Sequence, residues 1–355
     1  MGTAEEVQRQ SDTDVVGIDV DAVSAWLAEH VAGSVPPFSF ALVAGGRSNL
    51  TFRVEDAAGR AYALRRPPVS HVLPTAHDMT REHRVMTALG PTNVPVPATY
   101  GLCVDETVNG RPFYVMEFVA GHILKEASIA EAALDVPTRR VAAMDLADAL
   151  AALHAVDVDD VGLGDLGRRE DYIGRQVRRW TGQYEEMAVD GPDPLVAEVG
   201  RILAAEVPEQ QRVSVVHGDY RLDNVVVDDH GQVVAILDWE ICTLGDPLAD
   251  VGTLLCYWVE PDDDDRLLWT NPASVAPGFP SREEVLARYA AASGRDVSDI
   301  TYYMAFGYWR LACILQGVYA RYRAGAGAGD PNSVDQFPSV IARLARRAAT
   351  MLAAR

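Results

Sequence analysis

The sequence predicts an α+β fold in two parts: a small lobe built on an antiparallel sheet, then a larger, mainly helical lobe holding one β-hairpin. Three observations predict it. As far as about Val119 the apolar residues fall in short β-prone runs separated by Gly, Pro and acidic turns, with one helical stretch among them. From Gly121 onward they recur at helical spacing over long segments. The interruption is Val213–Trp239, apolar and β-branched around a turn at Asp228-Asp229-His230-Gly231. The 355 residues suit two domains or one two-lobed domain. The expected parts are a polar leader over residues 1–20, a first lobe over 21–119 and a second over 120–355.

Taken in order, Asp21–Val31 reads as an amphipathic helix and Phe38–Val43 as a strand. Gly45-Gly46-Arg47-Ser48-Asn49 has the composition of a turn. Thr51–Val54 and Ala61–Arg65 flank Glu55–Arg60 as an antiparallel hairpin, which Pro67-Pro68 ends. Asp78–Leu89 has Val85, Met86 and Leu89 on one helical face, and strands follow near Tyr100–Val104 and Phe113–Phe118. Helices are then expected over Val141–Val156, Asp171–Tyr184, Pro194–Ala205, Arg282–Ala292, Ile300–Arg323 and Ser333–Ala353, the last two joined by the Gly/Ala-rich Ala324–Asp330.

Composition excludes several function classes. Hydrophobic residues at 48% and charged residues at 23% are ordinary globular values, which excludes disorder, collagen and coiled coil. A net charge of −20 disfavours nucleic acid and anionic membrane as partners, and no basic patch offsets it. Apolar stretches are short or carry Asp, as Val141–Val156 does at Asp145 and Asp148, so no segment reads as a membrane span. The N-terminus, acidic and polar, does not read as a targeting segment. Cys103, Cys242, Cys256 and Cys313 lie far apart and read as buried thiols of a reducing, cytoplasmic setting. Lys125 is the only lysine, so the G-x-x-x-x-G-K-[ST] phosphate loop is absent.

The chemistry concentrates in Val215–Asp250. With the turn centred between Asp229 and His230, Asn224 lies opposite Ala235 and Asp238 stands three residues beyond it, about 10 Å along the strand. Asp219 enters the same end of the hairpin five residues before Asn224. Two carboxylates and an amide oxygen are hard donors of the kind that hold Mg²⁺, whose shell water and substrate phosphates complete. His217 precedes them on a buried strand and reads as a hydrogen-bonded structural residue rather than a base.

Here the residues resemble a known family. His217-Gly218-Asp219-Tyr220-Arg221-Leu222-Asp223-Asn224 is similar to the H-G-D-x-x-x-x-N catalytic loop of aminoglycoside phosphotransferases, choline kinases and related small-molecule kinases, with the spacing of the protein-kinase H-R-D-x-x-x-x-N. Leu237-Asp238-Trp239-Glu240 resembles the family's I-D-[WFY]-[EG] segment, and Gly245-Asp246-Pro247-Leu248-Ala249-Asp250 its G-D-P-x-x-D. With Leu64-Arg65-Arg66-Pro67-Pro68 upstream, the wording is closest to the branch fused in some proteins to acyl-CoA dehydrogenases. The resemblance runs from about Phe40 to Thr350.

It implies a bilobal protein kinase-like fold and an ATP- and Mg²⁺-dependent phosphotransferase acting on a hydroxyl of a small molecule. Asp219 would accept the acceptor's proton, Asn224 and Asp238 would hold the metal, and Asp250 would buttress the loop beside His217. The Gly45–Asn49 turn, including Gly46, Arg47 and Ser48, would cover the phosphates. The third strand should carry A-x-K but reads Ala63-Leu64-Arg65, so Arg65 takes the phosphate role and pairs with Glu82; Arg66 points to the opposite face by strand alternation. Glu117 and Val119 would hold the adenine edge. The competing reading is a nucleotide-binding regulator with little turnover. Protein-kinase activity is disfavoured because no A-P-E follows Asp238.

Other signals carry less. Gly162-Leu163-Gly164-Asp165-Leu166-Gly167 spells G-x-G-x-x-G but follows acidic residues instead of a strand, and so reads as a chance loop. The aromatics of Ile300–Arg323 read mainly as core, with Tyr303 and Arg310, together with Glu240, as possible acceptor-site residues. Asp262–Asp265 with Glu260 reads as a solvated acidic loop, or as an attractor of a polycationic acceptor. Arg310 and the acidic run point to acceptors of opposite charge.

Overall fold

In the computed structural model the described residues are 15–43, 49–69, 78–188, 191, 193–263, 272–324 and 336–355. The chain forms two compact units: residues 1–121 with 234–240, and residues 122–233 with 241–355. The first boundary follows Gly121, whereas the sequence places the division of the lobes after residue 119. The second was not anticipated, because residues 234–240 leave the helical part and join the sheet-bearing unit.

The first unit is a five-stranded antiparallel sheet in the order β1-β2-β3-β5-β4: β1 Ser39–Leu42, β2 Leu50–Glu55, β3 Ala61–Arg66, β4 Thr99–Cys103 and β5 Phe113–Glu117. Alternation sends Phe52, Val54, Tyr62 and Leu64 into a core with Phe113 and Val115, which helix α1 (Val20–His30) covers with Val23, Trp26 and Leu27. The Trp26 ring meets Phe113 edge-on at 5.0 Å. It leaves no room for a side chain at position 101 of β4, where a Cβ would come within 2.9 Å of the ring. Helix α2 (Met79–Leu89) starts at Asp78, whose side chain accepts the Arg81 N–H. A short helix α3 (Glu106–Asn109), capped by Asp105 and ended by left-handed Gly110, was not expected.

In the second unit, α4 (Ala127–Ala133) precedes α5 (Val136–Ala155); α5 starts five residues before the expected Val141, at the Asp135 cap and Pro137. Helices α6 (Tyr172–Met187) and α7 (Pro194–Ala205) lead to β6 (Ser214–Val216) and β7 (Val225–Val227). The turn after β7 is centred on His230, half a residue later than expected, which shifts the cross-strand register by one. Asp228 N–H donates to Gln232 O at 2.9 Å, and its carboxylate accepts from His230 and Gln232 N–H. Strand β8 (Val233–Ile236) leads into the segment assigned to the first unit, and β9 (Thr243–Gly245), back in the second, pairs antiparallel with β6. Helix α8 (Leu248–Tyr257) was missed. It packs on α10 (Ile300–Arg323), which also meets α6 and α11 (Phe337–Ala353), while α9 (Arg282–Ser293) lies on α5. Among the described residues no helix is long and apolar enough to cross a membrane.

Candidate active site

In the second unit β6 delivers the chain into His217-Gly218-Asp219. Gly218 has φ +88°, and a Cβ there would meet the Ile241 side chain at 3.1 Å and its carbonyl at 3.3 Å, so the turn needs glycine. Asp250, in the first turn of α8, fixes it: one carboxylate oxygen accepts His217 N–H and the other Gly218 N–H, each at 2.7 Å. His154 Nε2 lies 3.3 Å from the same carboxylate, and its Nδ1 lies 2.8 Å from the Tyr289 hydroxyl. Burial pushes the Asp250 carboxyl up, but His154, His217 and the Gly218 N–H outweigh it and hold the group below the usual range. His217 Nδ1 accepts Asp219 N–H at 3.3 Å, so the imidazole braces the loop.

Asn224, in a 3₁₀ turn over Leu222–Asn224, donates through Nδ2 to the Asp219 backbone oxygen at 2.8 Å and to its carboxylate at 3.0 Å. With that nitrogen committed, the amide oxygen faces away from Asp219. It is the hard donor that a Mg²⁺ ligand at this position requires, so the residue fits the role. Arg221 stands 3.1 Å from both Asp219 and Asp223, with its guanidinium over the Tyr257 ring at 4.8 Å. Sequence reasoning gave Arg221 no role, although its place two residues after Asp219 was the available signal. Arg310 donates to Gly218 O at 2.6 Å and lies over Trp180, so it too supports the loop backbone.

Tyr303 is corrected. It is 1% exposed and its hydroxyl donates to Asp246 at 2.6 Å, so it belongs to the α8–α10 core and not to an acceptor surface. Burial raises the Asp246 carboxyl. In the described part of the acidic run, Asp262 is exposed, whereas Asp263 is clamped by Arg282 and Arg347 and Glu260 pairs with Arg282 at 2.7 Å. Asp264 and Asp265 lie outside the described residues. Gly162–Gly167 is a loop of turns after α5 with Asp159 and Arg169 packed against Gly164, as a chance match requires. All four cysteines are buried, and no disulfide joins them.

The first unit holds the remaining residues. Arg65 lies opposite Tyr114 in the β3–β5 ladder and opposite Thr51 in the β2–β3 ladder. Its Nε is 3.1 Å from Glu82 of α2, and its Nη2 pairs with Asp238. Burial alone would lower the Arg65 pKa; Tyr114, Glu82 and Asp238 outweigh it and raise the group above its usual value. Arg66, on the other face, donates to the carbonyls of Pro67 and Gly17. Glu82 is 1% exposed and accepts the Tyr114 hydroxyl at 2.9 Å and Asn49 Nδ2 at 3.1 Å. Its carboxyl is pushed up to about 7 by burial, against the lowering effect of Arg65 and Tyr114.

Asn49 Nδ2 also reaches Glu240 at 3.2 Å. Asp238 has φ +65°, a left-handed conformation that costs a side-chain-bearing residue energy and that Asp tolerates better than most. Residues 234–240 are tied to this unit by Ile236 N–H to Pro95 O at 2.8 Å as well as by Asp238 and Glu240. Glu117 ends β5, its N–H on Ala98 O at 2.8 Å, and Val119 follows it, half-buried. Gly45, Gly46, Arg47 and Ser48 lie outside the described residues. Sequence reasoning missed Tyr114, because every residue of Phe113–Met116 is buried and no alternation marks one face.

Comparison with known proteins places these arrangements in a family. The model of the phosphotransferase enzyme family matches residues 39–301. A mouse protein named acyl-CoA dehydrogenase family member 10 is 38% identical over 284 residues, 79% of this chain and 26% of its own. The chain thus spans only about a quarter of that relative. A solved Ralstonia eutropha protein, provisionally described as an aminoglycoside phosphotransferase, is 33% identical with a TM-score of 0.78, covering 94% of this chain and 98% of its own. Two more distant structures share the fold. A choline kinase of Cryptosporidium parvum has TM-score 0.62 at 11% identity, covering 94% of this chain and 96% of its own. Aminoglycoside phosphotransferase APH(4)-Ia, solved with AMP-PNP and hygromycin B, has TM-score 0.58 at 18% identity, covering 93% and 97%. With an Asp-braced H-G-D loop, an Arg–Glu pair on the sheet and a family match over most of its length, the chain belongs to the phosphotransferase enzyme family.

Proposed function

We propose that the protein is a kinase that transfers the γ-phosphoryl group of ATP, with Mg²⁺, to a hydroxyl of a small molecule. The observation that carries the reading is Asp219: a carboxylate presented by a glycine turn, braced through Asp250 and oriented by Asn224. A carboxylate so fixed accepts the proton of an acceptor hydroxyl as its oxygen bonds to the γ-phosphorus and the bond to the ADP oxygen breaks; such a base contributes about 10²–10⁴ in rate. Asn224 and Asp238 would hold Mg²⁺, which neutralises phosphate charge when bound. Arg65 would supply positive charge to the phosphates from the sheet. Glu117 and Val119 would meet the adenine edge. The AMP-PNP complex of a fold neighbour supports ATP as donor.

For the acceptor, we infer a hydroxylated metabolite, with hydroxyacyl-CoA thioesters the first class to test because the relative's name points to acyl-CoA chemistry. Aminoglycosides are the competing class, from the descriptions of the solved neighbours. The test is Mg-dependent ADP release across a panel of cationic aminoglycosides, choline, sugars and hydroxyacyl-CoA thioesters. One class should stimulate release. Tight ATP binding with no stimulation by any acceptor would favour the regulator reading instead.

A further inference from the structure

The sheet carries arginine where the family's ion pair uses lysine, and the side chains around Glu82 answer a problem that this exchange creates. A lysine ammonium offers three freely rotating donors, whereas a guanidinium is a rigid fork. Arg65 pairs with Asp238 through Nη2 and approaches Glu82 with Nε, at 3.1 Å. That Nε–H makes no aligned hydrogen bond among the described residues. Charge therefore ties Arg65 to Glu82, but the direction of the Glu82 carboxylate is set by other donors. They are the Tyr114 hydroxyl on one oxygen at 2.9 Å and Asn49 Nδ2 on the other at 3.1 Å.

Both donors follow from the sheet. Tyr114 is the cross-strand partner of Arg65 and so shares its face. Asn49 stands two residues before Thr51, the other cross-strand partner of Arg65, which puts it on that face as well. Glu82, Tyr114 and Asn49 are 1%, 2% and 3% exposed, so water does not supply their hydrogen bonds. Asn49 also reaches Glu240, two residues after Asp238, at 3.2 Å.

We propose that Tyr114 and Asn49 are positioning residues for phosphate binding: they hold the Glu82 carboxylate in place so that arginine, not lysine, serves at position 65. The proposal rests on the kinase reading of this site. Neither residue touches nucleotide through these contacts; each acts through Glu82 on Arg65.

A double-mutant cycle between Tyr114 and Arg65 tests it, read by calorimetric Mg-ATP affinity and by KM and kcat at saturating acceptor. Tyr114→Phe keeps the ring and removes only the hydroxyl. It should raise Kd and KM for ATP about tenfold, the loss of one hydrogen bond to a buried charged group, with kcat changed far less. In an Arg65→Lys background the same substitution should cost about twofold or less, because the ammonium can donate to Glu82 itself. Asn49→Ala should likewise raise KM and leave kcat. Equal effects of Tyr114→Phe in both backgrounds, or a lowered melting temperature with unchanged KM, would overturn the proposal while the kinase stood. No Mg-ATP binding by the wild-type protein would remove the kinase reading and this role with it.

Discussion

Asp250→Ala is the sharpest perturbation of the loop. The carboxylate is fully buried and accepts two backbone N–H groups at 2.7 Å, from His217 and Gly218, with His154 at 3.3 Å. Removing it strands two buried donors at about 1–3 kcal/mol each, partly offset by no longer burying a charge, which leaves a loss of about 3 kcal/mol. At a urea m-value of about 3 kcal/mol/M that lowers the midpoint by about 1 M. The unpinned turn also carries Asp219, and a displacement of about 1 Å at a reacting group costs about 10²-fold in turnover. Urea denaturation and steady-state ADP release at a temperature where the variant is folded read the two effects separately. Asp250→Asn should fall between, since its amide oxygen can accept one N–H while its NH₂ faces the other. A midpoint and a turnover both indistinguishable from wild type would refute the bracing argument.

Three further outcomes are expected. Gly218→Ala should lose about 1–3 kcal/mol of stability, measured by denaturation, because φ +88° is strained for alanine and Ile241 fills the space, and turnover should fall with it. Arg65→Ala should weaken Mg-ATP binding strongly and Arg65→Lys partly, by calorimetry; unchanged affinity in Arg65→Ala would remove Arg65 from the phosphate site. The pH dependence follows from Glu82, whose carboxyl is raised to about 7 by burial. Below that value it takes a proton and Arg65 keeps only Asp238 as its close counter-charge, so the guanidinium is held less firmly, ATP KM should rise as pH falls through about 7, and Glu82→Gln should flatten the profile. The stability contribution of Glu82 runs the other way: a raised carboxyl favours folding most below its unfolded pKa, and the gain is lost as pH rises through about 7.

Much of the fold was legible because local signals agreed with it. Pro194–Ala205 and Ile300–Arg323 have the bounds that the sequence gives them, and Asp78, read as the start of α2, is its cap. Helix α8 was hidden because Leu248–Cys256 is buried on every side, so no amphipathic period exists to detect. The hairpin register slipped by one residue because left-handed Gly231 and the Asp228 side chain lengthen the turn. The motifs gave the site residues their identities, but not their neighbours. Tyr114 and His154 act through tertiary contacts, to α2 and to α8, that no spacing in the sequence encodes.

The account turns on Asp219, and the most direct measurement compares Mg-dependent ADP release by wild type and Asp219→Asn with the stimulating acceptor present. The account predicts that Asp219→Asn binds Mg-ATP with near wild-type affinity and loses turnover by at least about 10²-fold. Equal turnover by the two proteins would contradict it.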